Sequence, residues 1–189
     1  MDEFKSKSYL NAHAALSEKL DFQSFNLAID LIKNKYDSGN KIFTCGNGGS
    51  SHTASHYITD WNKMVYLATG RMFRGISLCD NVGVITAYSN DIGYEEIFCG
   101  QLKSMMDKGD LVIGISGSGN SKNVINAIEY ANANGADTLA IVGYDGGALK
   151  KIAKKNVWVP SFDMQLCEDI HLMFGHMVMK SLCSSKIES

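Results

Sequence analysis

Proline is almost missing from this chain, with one residue in 189, Pro160, and no proline-rich, low-complexity or repeated tract marks a linker. Cysteine is sparse and unpaired in pattern. Cys45, Cys79, Cys99, Cys167 and Cys183 are odd in number and widely spaced, with no C-x-x-C pair, and read as reduced core residues. A net charge of −2 leaves no broad basic field for a nucleic-acid backbone. No apolar run approaches the roughly 20 residues of a membrane span. The opening Met1-Asp2-Glu3-Phe4-Lys5 lacks the basic-then-apolar order of a secretion signal. Neither G-x-G-x-x-G nor the Walker pattern occurs, so no nucleotide or redox cofactor is expected. What remains is one compact cytoplasmic domain spanning 1–189, since at 45% hydrophobic the chain can bury a full core yet is short for two domains.

Two glycine-and-serine turns carry the chemistry. Gly46-Asn47-Gly48-Gly49-Ser50 follows the apolar run Lys41–Cys45, and Ser116-Gly117-Ser118-Gly119-Asn120-Ser121 follows Leu111–Ile115. Each leads into a helix-like segment, so each belongs at the C-terminal end of a strand. There, free N–H groups and a helix dipole favour an anion, and serine hydroxyls add donors without a counter-charge. Either turn alone is also an ordinary strand-to-helix loop; two of them point to phosphate.

The hydrophobic period alternates along the chain. Residues 9–36 place Leu10, Ala14, Leu20, Ile29, Leu31 and Ile32 at helical spacing, as two helices broken near Lys19-Leu20-Asp21-Phe22. Strands are expected at Lys41–Cys45, Arg74–Cys79, Leu111–Ser116, Thr138–Gly143 and Val157–Pro160, with helices between them, the clearest being Asn123–Asn134 before Gly135. Such alternation predicts a parallel sheet covered on both faces, with ligands beyond the strands' carboxyl ends.

His56 and Asp60 lie four residues apart on one helical face, a pair that can hold a metal, move a proton, or form a solvated couple. The last segment, Phe162–Lys180, sets Glu168, Asp169, His171 and His176 in an apolar helix, where ionisable groups are costly unless paired, solvated or liganded. His171 reads as structural and His176 as functional. Glu168 and His176 are about 12 Å apart along the axis, so one ion reaches both only through long converging side chains or through two copies of the subunit. Lys150, Lys151, Lys154 and Lys155 form a basic face read as solvated surface. Trp61 reads equally as packing or a subunit contact, and Asn62 and Lys63 carry no evident role.

The stretch from Phe43 to Ser50 followed by His56, with Ser89-Asn90-Asp91-Ile92-Gly93-Tyr94, Gly114–Ser121 and Glu168-Asp169-Ile170-His171 leading to His176, resembles the phosphoheptose isomerases. These are sugar-isomerase (SIS) domain proteins that interconvert sedoheptulose 7-phosphate and an aldoheptose 7-phosphate. The resemblance covers nearly the whole chain. It implies a flavodoxin-like three-layer αβα sandwich with a five-stranded parallel sheet, preceded by an N-terminal helical segment, residues 1–38, that serves oligomer packing. It places Asn47, Gly48, Gly49, Ser50, Asn90 and Asp91 at the sugar, and Ser116, Gly117, Ser118 and Ser121 at the phosphate. It also implies zinc ligands at His56, Asp60, Glu168 and His176, with Glu168 touching substrate too, an acid-base pair of Asp60 and His176, and a homotetramer with active sites at subunit boundaries. Three positions depart from the family: Asp60 replaces its usual glutamate, Glu168 its glutamine and Gly117 its threonine. The shorter carboxylate withdraws by roughly 1.5 Å, a C–C bond length. The added charge of Glu168 suits a divalent cation. These changes imply a divergent branch acting on a related phosphosugar. A sugar-phosphate-binding module without catalysis, such as a regulator or a replication-initiation partner, and an isomerase or epimerase of a hexose or pentose phosphate, are the rival classes.

Overall fold

A computed structural model describes residues 5–184; the remaining ends of the 1–189 span lie outside the described residues. Helices α1 (Ser6–Ser17) and α2 (Phe22–Asp37) precede strand β1 (Ile42–Gly46). Then follow α3 (Gly49–Asp60), which runs through a π-helical turn at Trp61–Val65 into α4 (Tyr66–Thr69), and β2 (Gly75–Ser77). After α5 (Val82–Asp91), α6 (Cys99–Met105) and β3 (Leu111–Ser116), the chain alternates α7 (Lys122–Ala133), β4 (Asp137–Val142), α8 (Gly147–Ile152), β5 (Lys155–Trp158) and α9 (Met164–Cys183).

The five strands are all parallel, in the order β2-β1-β3-β4-β5. Alternate side chains supply two cores, as a sheet buried on both faces requires. Ile42, Leu111, Ile113, Ile115, Leu139 and Ile141 pack towards α2, α3 and α9. Phe43, Cys45, Val112, Ala140 and Val142 pack with α6 and α7 on the other face. This is the expected αβα sandwich, with the N-terminal helices in the α9 layer.

Local chemistry explains where the elements stop. The Asp21 carboxylate accepts from the backbone N–H groups of Gln23 and Ser24 and caps α2, so the break between the first helices falls where the sequence places it. The buried stripe of α2 is Phe25, Ala28, Ile32 and Tyr36, whereas Leu10 and Ala14 of α1 face outward, Leu10 at 66% exposure. The Tyr9 hydroxyl ties α1 to α9 by donating to Asp169 Oδ2 at 2.5 Å. The inner strands match their apolar runs to within a residue, but the edges slip. β2 is only Gly75–Ser77, and its first residue is pinned by Asn62, whose amide exchanges two 3.0 Å hydrogen bonds with the Gly75 backbone. β5 begins at Lys155, ahead of its apolar residues, because an edge strand tolerates exposed polar side chains.

Candidate active site

Both glycine-serine turns stand on neighbouring strands. β1 pairs β3 with Gly46 opposite Ile115, and the chain leaves β1 outward to β2 but crosses back to β3, so the turns flank the topological switch point. The Ser121 hydroxyl, at the N-cap of α7, makes no cap hydrogen bond. It lies 3.1 Å from the Ser116 hydroxyl instead. The first turn of α7 therefore keeps N–H groups that its own cap does not use. Gly119, at φ +67°, bends the turn so that its N–H reaches Ser116 Oγ at 3.1 Å, and an added Cβ would collide with the Gly146 carbonyl. Asn47, Ser50, Ser116, Gly117, Ser118, Ser121 and Glu168 gather around one cavity of about 190 Å³, closed by Ile115, Tyr144 and Met164. Its donors are hydroxyls, amides and a helix N-terminus, and Glu168 is its one ionisable side chain apart from the Tyr144 phenol.

Glu168 reaches this cavity because α9 lies against the start of α3. A Cβ on Gly49 would sit 2.7 Å from Glu168 Oε1, so glycine here lets the carboxylate lie close against the α3 N-terminus, where the helix dipole favours negative charge.

At the other end of the same helix contact, His56, Asp60 and His176 come together. His56 Nε2 is 3.1 Å from His176 Nε2 and 3.4 Å from Asp60 Oδ2, and His176 Nε2 is 3.8 Å from Asp60 Oδ2. All three are partly exposed. Tetrahedral zinc with bonds of about 2.0–2.2 Å needs donors roughly 3.3–3.5 Å apart, so these three side chains come within a few tenths of an ångström of the spacing such an ion requires. Glu168 is not in this cluster; it stands about 12 Å back along α9.

The alignment of α3 with α9 comes from the residues next to the functional ones. Trp61 Nε1–H donates to the Gly175 carbonyl at 2.9 Å, and the Tyr57 hydroxyl donates to the His171 carbonyl. Both rings are wholly buried and stack at 4.8 Å. Trp61 is thus packing, and it sets Asp60 against His176. Asn90 and Asp91 end α5, exposed, with Asn90 Nδ2 donating to Asp91 Oδ1; the chain brings neither to the serine cavity. Asn123 and Tyr94, which sequence reasoning did not select, both hydrogen bond to Asn47.

His171 is 1% exposed, and neither ring nitrogen meets a hydrogen-bond partner among the described residues. Burial pushes its pKa down to about 4. A base with a lower pKa folded than unfolded costs stability as pH falls through the unfolded value, and the loss levels off below the folded one. Stability is therefore expected to drop between pH 6.5 and 4, by about 2 kcal/mol at pH 5 from this group. His171→Leu removes that component. Urea melts at pH 7.5 and 5 check it, and equal pH dependence of the two proteins contradicts it.

A parallel sheet with a serine turn at its switch point, and a His-Asp-His cluster at the far end of the α3–α9 contact, defines a doubly wound α/β domain whose candidate site has an anion-favouring end and an ionisable end. Residues 8–143 match the family model of the SIS domain. The chain is 40% identical over 152 residues to a phosphoheptose isomerase of Aliarcobacter butzleri, covering 80% of this chain and 78% of that one. It is 35% identical over 184 residues to the Helicobacter pylori enzyme, covering 94% and 93%. The solved phosphoheptose isomerase of Neisseria gonorrhoeae superposes with a TM-score of 0.86 at 26% identity, over 94% of this chain and 96% of that one. The chain belongs to the SIS-domain family and, within it, to the phosphoheptose isomerases.

Proposed function

We propose that this chain interconverts D-sedoheptulose 7-phosphate and D-glycero-D-manno-heptose 7-phosphate in the cytoplasm, supplying heptose for lipopolysaccharide, capsule or nucleotide-linked heptose. The observation that carries the reading is the His56-Asp60-His176 cluster at one end of the α3–α9 contact whose other end, at Gly49 and Glu168, opens into the serine cavity. An open-chain sugar phosphate has the same two ends. The phosphate anchors on the N–H groups and hydroxyls of Ser116, Ser118 and Ser121, far from the reacting carbons, and so orients them.

Aldose-ketose interconversion removes a proton from the carbon beside a carbonyl and returns one to its neighbour through an enediol. Asp60 and His176 face one another at 3.8 Å and act as that pair, in either order. His56, Asp60 and His176 would hold Zn²⁺; Glu168, which the family resemblance also implies as a ligand, stands about 12 Å away along α9 and would reach such an ion only from a neighbouring copy of the subunit. When bound there, such an ion would supply Lewis-acid polarisation of the sugar's oxygens. The working form is a homotetramer with sites at subunit boundaries. Exposed Leu10, Phe22, Leu27, Leu67 and Met72 on and near α1, α2 and α4 support it, because so many large apolar side chains seldom stay in water. A boundary position also accounts for Asn90 and Asp91, which then serve a neighbouring copy.

A panel of keto-sugar phosphates of five, six and seven carbons, followed for aldose formation, tests the reading. Turnover is expected to be greatest with seven carbons. Binding without aldose from any member leaves a sugar-phosphate-binding module and ends the proposal.

A further inference from the structure

Asn47 is joined to α7 by a closed pair of amide hydrogen bonds. Asn47 Nδ2 donates to Asn123 Oδ1 at 2.9 Å, and Asn123 Nδ2 donates back to Asn47 Oδ1 at 2.8 Å. The backbone sets the direction of both. The Val124 N–H donates to Asn123 Oδ1 at 3.0 Å, and a rotated Asn123 amide would turn its own N–H groups against that donor. With the Asn123 oxygen fixed, Asn47 must present Nδ2 to it. The Asn47 oxygen then accepts from Asn123 and from the Tyr94 hydroxyl at 2.9 Å, which fills both lone pairs. What Asn47 has left for a ligand in the serine cavity is one N–H.

We infer that Asn123 is a positioning residue that turns Asn47 into a hydrogen-bond donor, so that the site reads a sugar oxygen as acceptor at this point. Asn123 is 2% exposed and acts only through Asn47. The inference rests on Asn47 touching the sugar, as proposed above. It also ties the β1 turn to the helix that follows the serine turn, so one residue aligns the sugar-binding and phosphate-binding halves.

Asn123→Asp tests it. The new carboxylate keeps the oxygen that serves Val124 and Asn47, but sets its second oxygen against Asn47 Oδ1 with no hydrogen between them. Burial and the opposed oxygen raise the new group's pKa, and protonation restores the missing donor. At pH 8 the KM for sedoheptulose 7-phosphate is expected to rise about tenfold or more with a smaller change in kcat, the cost of an unmade buried hydrogen bond. The ratio to wild type should fall towards one as pH is lowered to 5. Tyr94→Phe, at a residue 53% exposed, should raise KM a few-fold with no pH trend. Calorimetry separates this from the isomerase reading: both variants should bind inorganic phosphate as wild type does, while Asn123→Asp loses affinity for the sugar phosphate. If wild type turns over no sugar, that affinity difference still reports on Asn123. The inference is overturned if Asn123→Asp stays within twofold of wild type in KM and affinity at pH 8, or if its loss is independent of pH. Should that variant fail to fold, Asn123→Ser, which removes both amide hydrogen bonds that hold Asn47, takes its place, and an unchanged KM and sugar-phosphate affinity there overturns the inference.

Discussion

Asp60→Asn and His176→Ala each lower kcat for aldose formation by on the order of a thousandfold, the scale of a lost general acid or base, while sugar-phosphate affinity changes far less. The asymmetry follows from the distance along the α3–α9 contact. The serine cavity, proposed as the phosphate anchor, lies at the Gly49 and Glu168 end, remote from both substitutions. Folding should be little affected, because the side chains are 25% and 45% exposed and neither belongs to a core cluster. Asp60→Asn keeps size and shape and removes only charge and basicity, so it separates proton transfer from packing. His176→Ala also removes one of three donors at zinc spacing, and protein purified without chelator should lose bound metal in parallel. Near-normal turnover by either variant removes the pair from the mechanism. A metal-free wild type with full activity removes the zinc and leaves the pair.

The parts of this site visible in the sequence are those fixed by local backbone. Each glycine-serine turn follows a buried run and opens a helix, so its place at a strand's carboxyl end needs no knowledge of the fold. His56 and Asp60 share a helical face for the same reason. The fold's edges were less legible. Lys155 and Asn156 extend β5 without any apolar signal, and β2 is cut to three residues by its position and by Asn62, to which no role could be given. Partners distant in sequence were invisible in principle. Nothing in Asn123 distinguishes a buried amide that turns another amide from a polar residue on a helix surface, and Trp61 beside Asp60 shows a large ring but not the Gly175 carbonyl it reaches. The separation of Glu168 and His176 along one helix was legible from their spacing, but not that they fall at opposite ends of one contact, because only the fold lays α9 along the length of α3.

Gly175→Ala should damage both stability and turnover severely, although Gly175 binds nothing. A Cβ there would fall on Cε1 and Cδ1 of the Tyr57 ring. That ring cannot yield, being wholly buried, stacked on Trp61 and tethered by its hydroxyl to the His171 carbonyl. The helices must then separate, at a cost of about 3 kcal/mol, the upper part of the range for overpacking, and the Trp61 hydrogen bond to the Gly175 carbonyl stretches with them. Because His176 is the next residue, its imidazole moves relative to Asp60 and His56, and a displacement near 1 Å costs roughly a hundredfold in kcat. Gly117→Ala is the matched control. It adds the same methyl group to the serine turn where nothing lies within 4 Å, so stability should hold within about 0.5 kcal/mol. Thermal melts and kcat for the two variants decide the matter. If Gly175→Ala melts and turns over like Gly117→Ala, the α3–α9 register is not what holds Asp60 against His176.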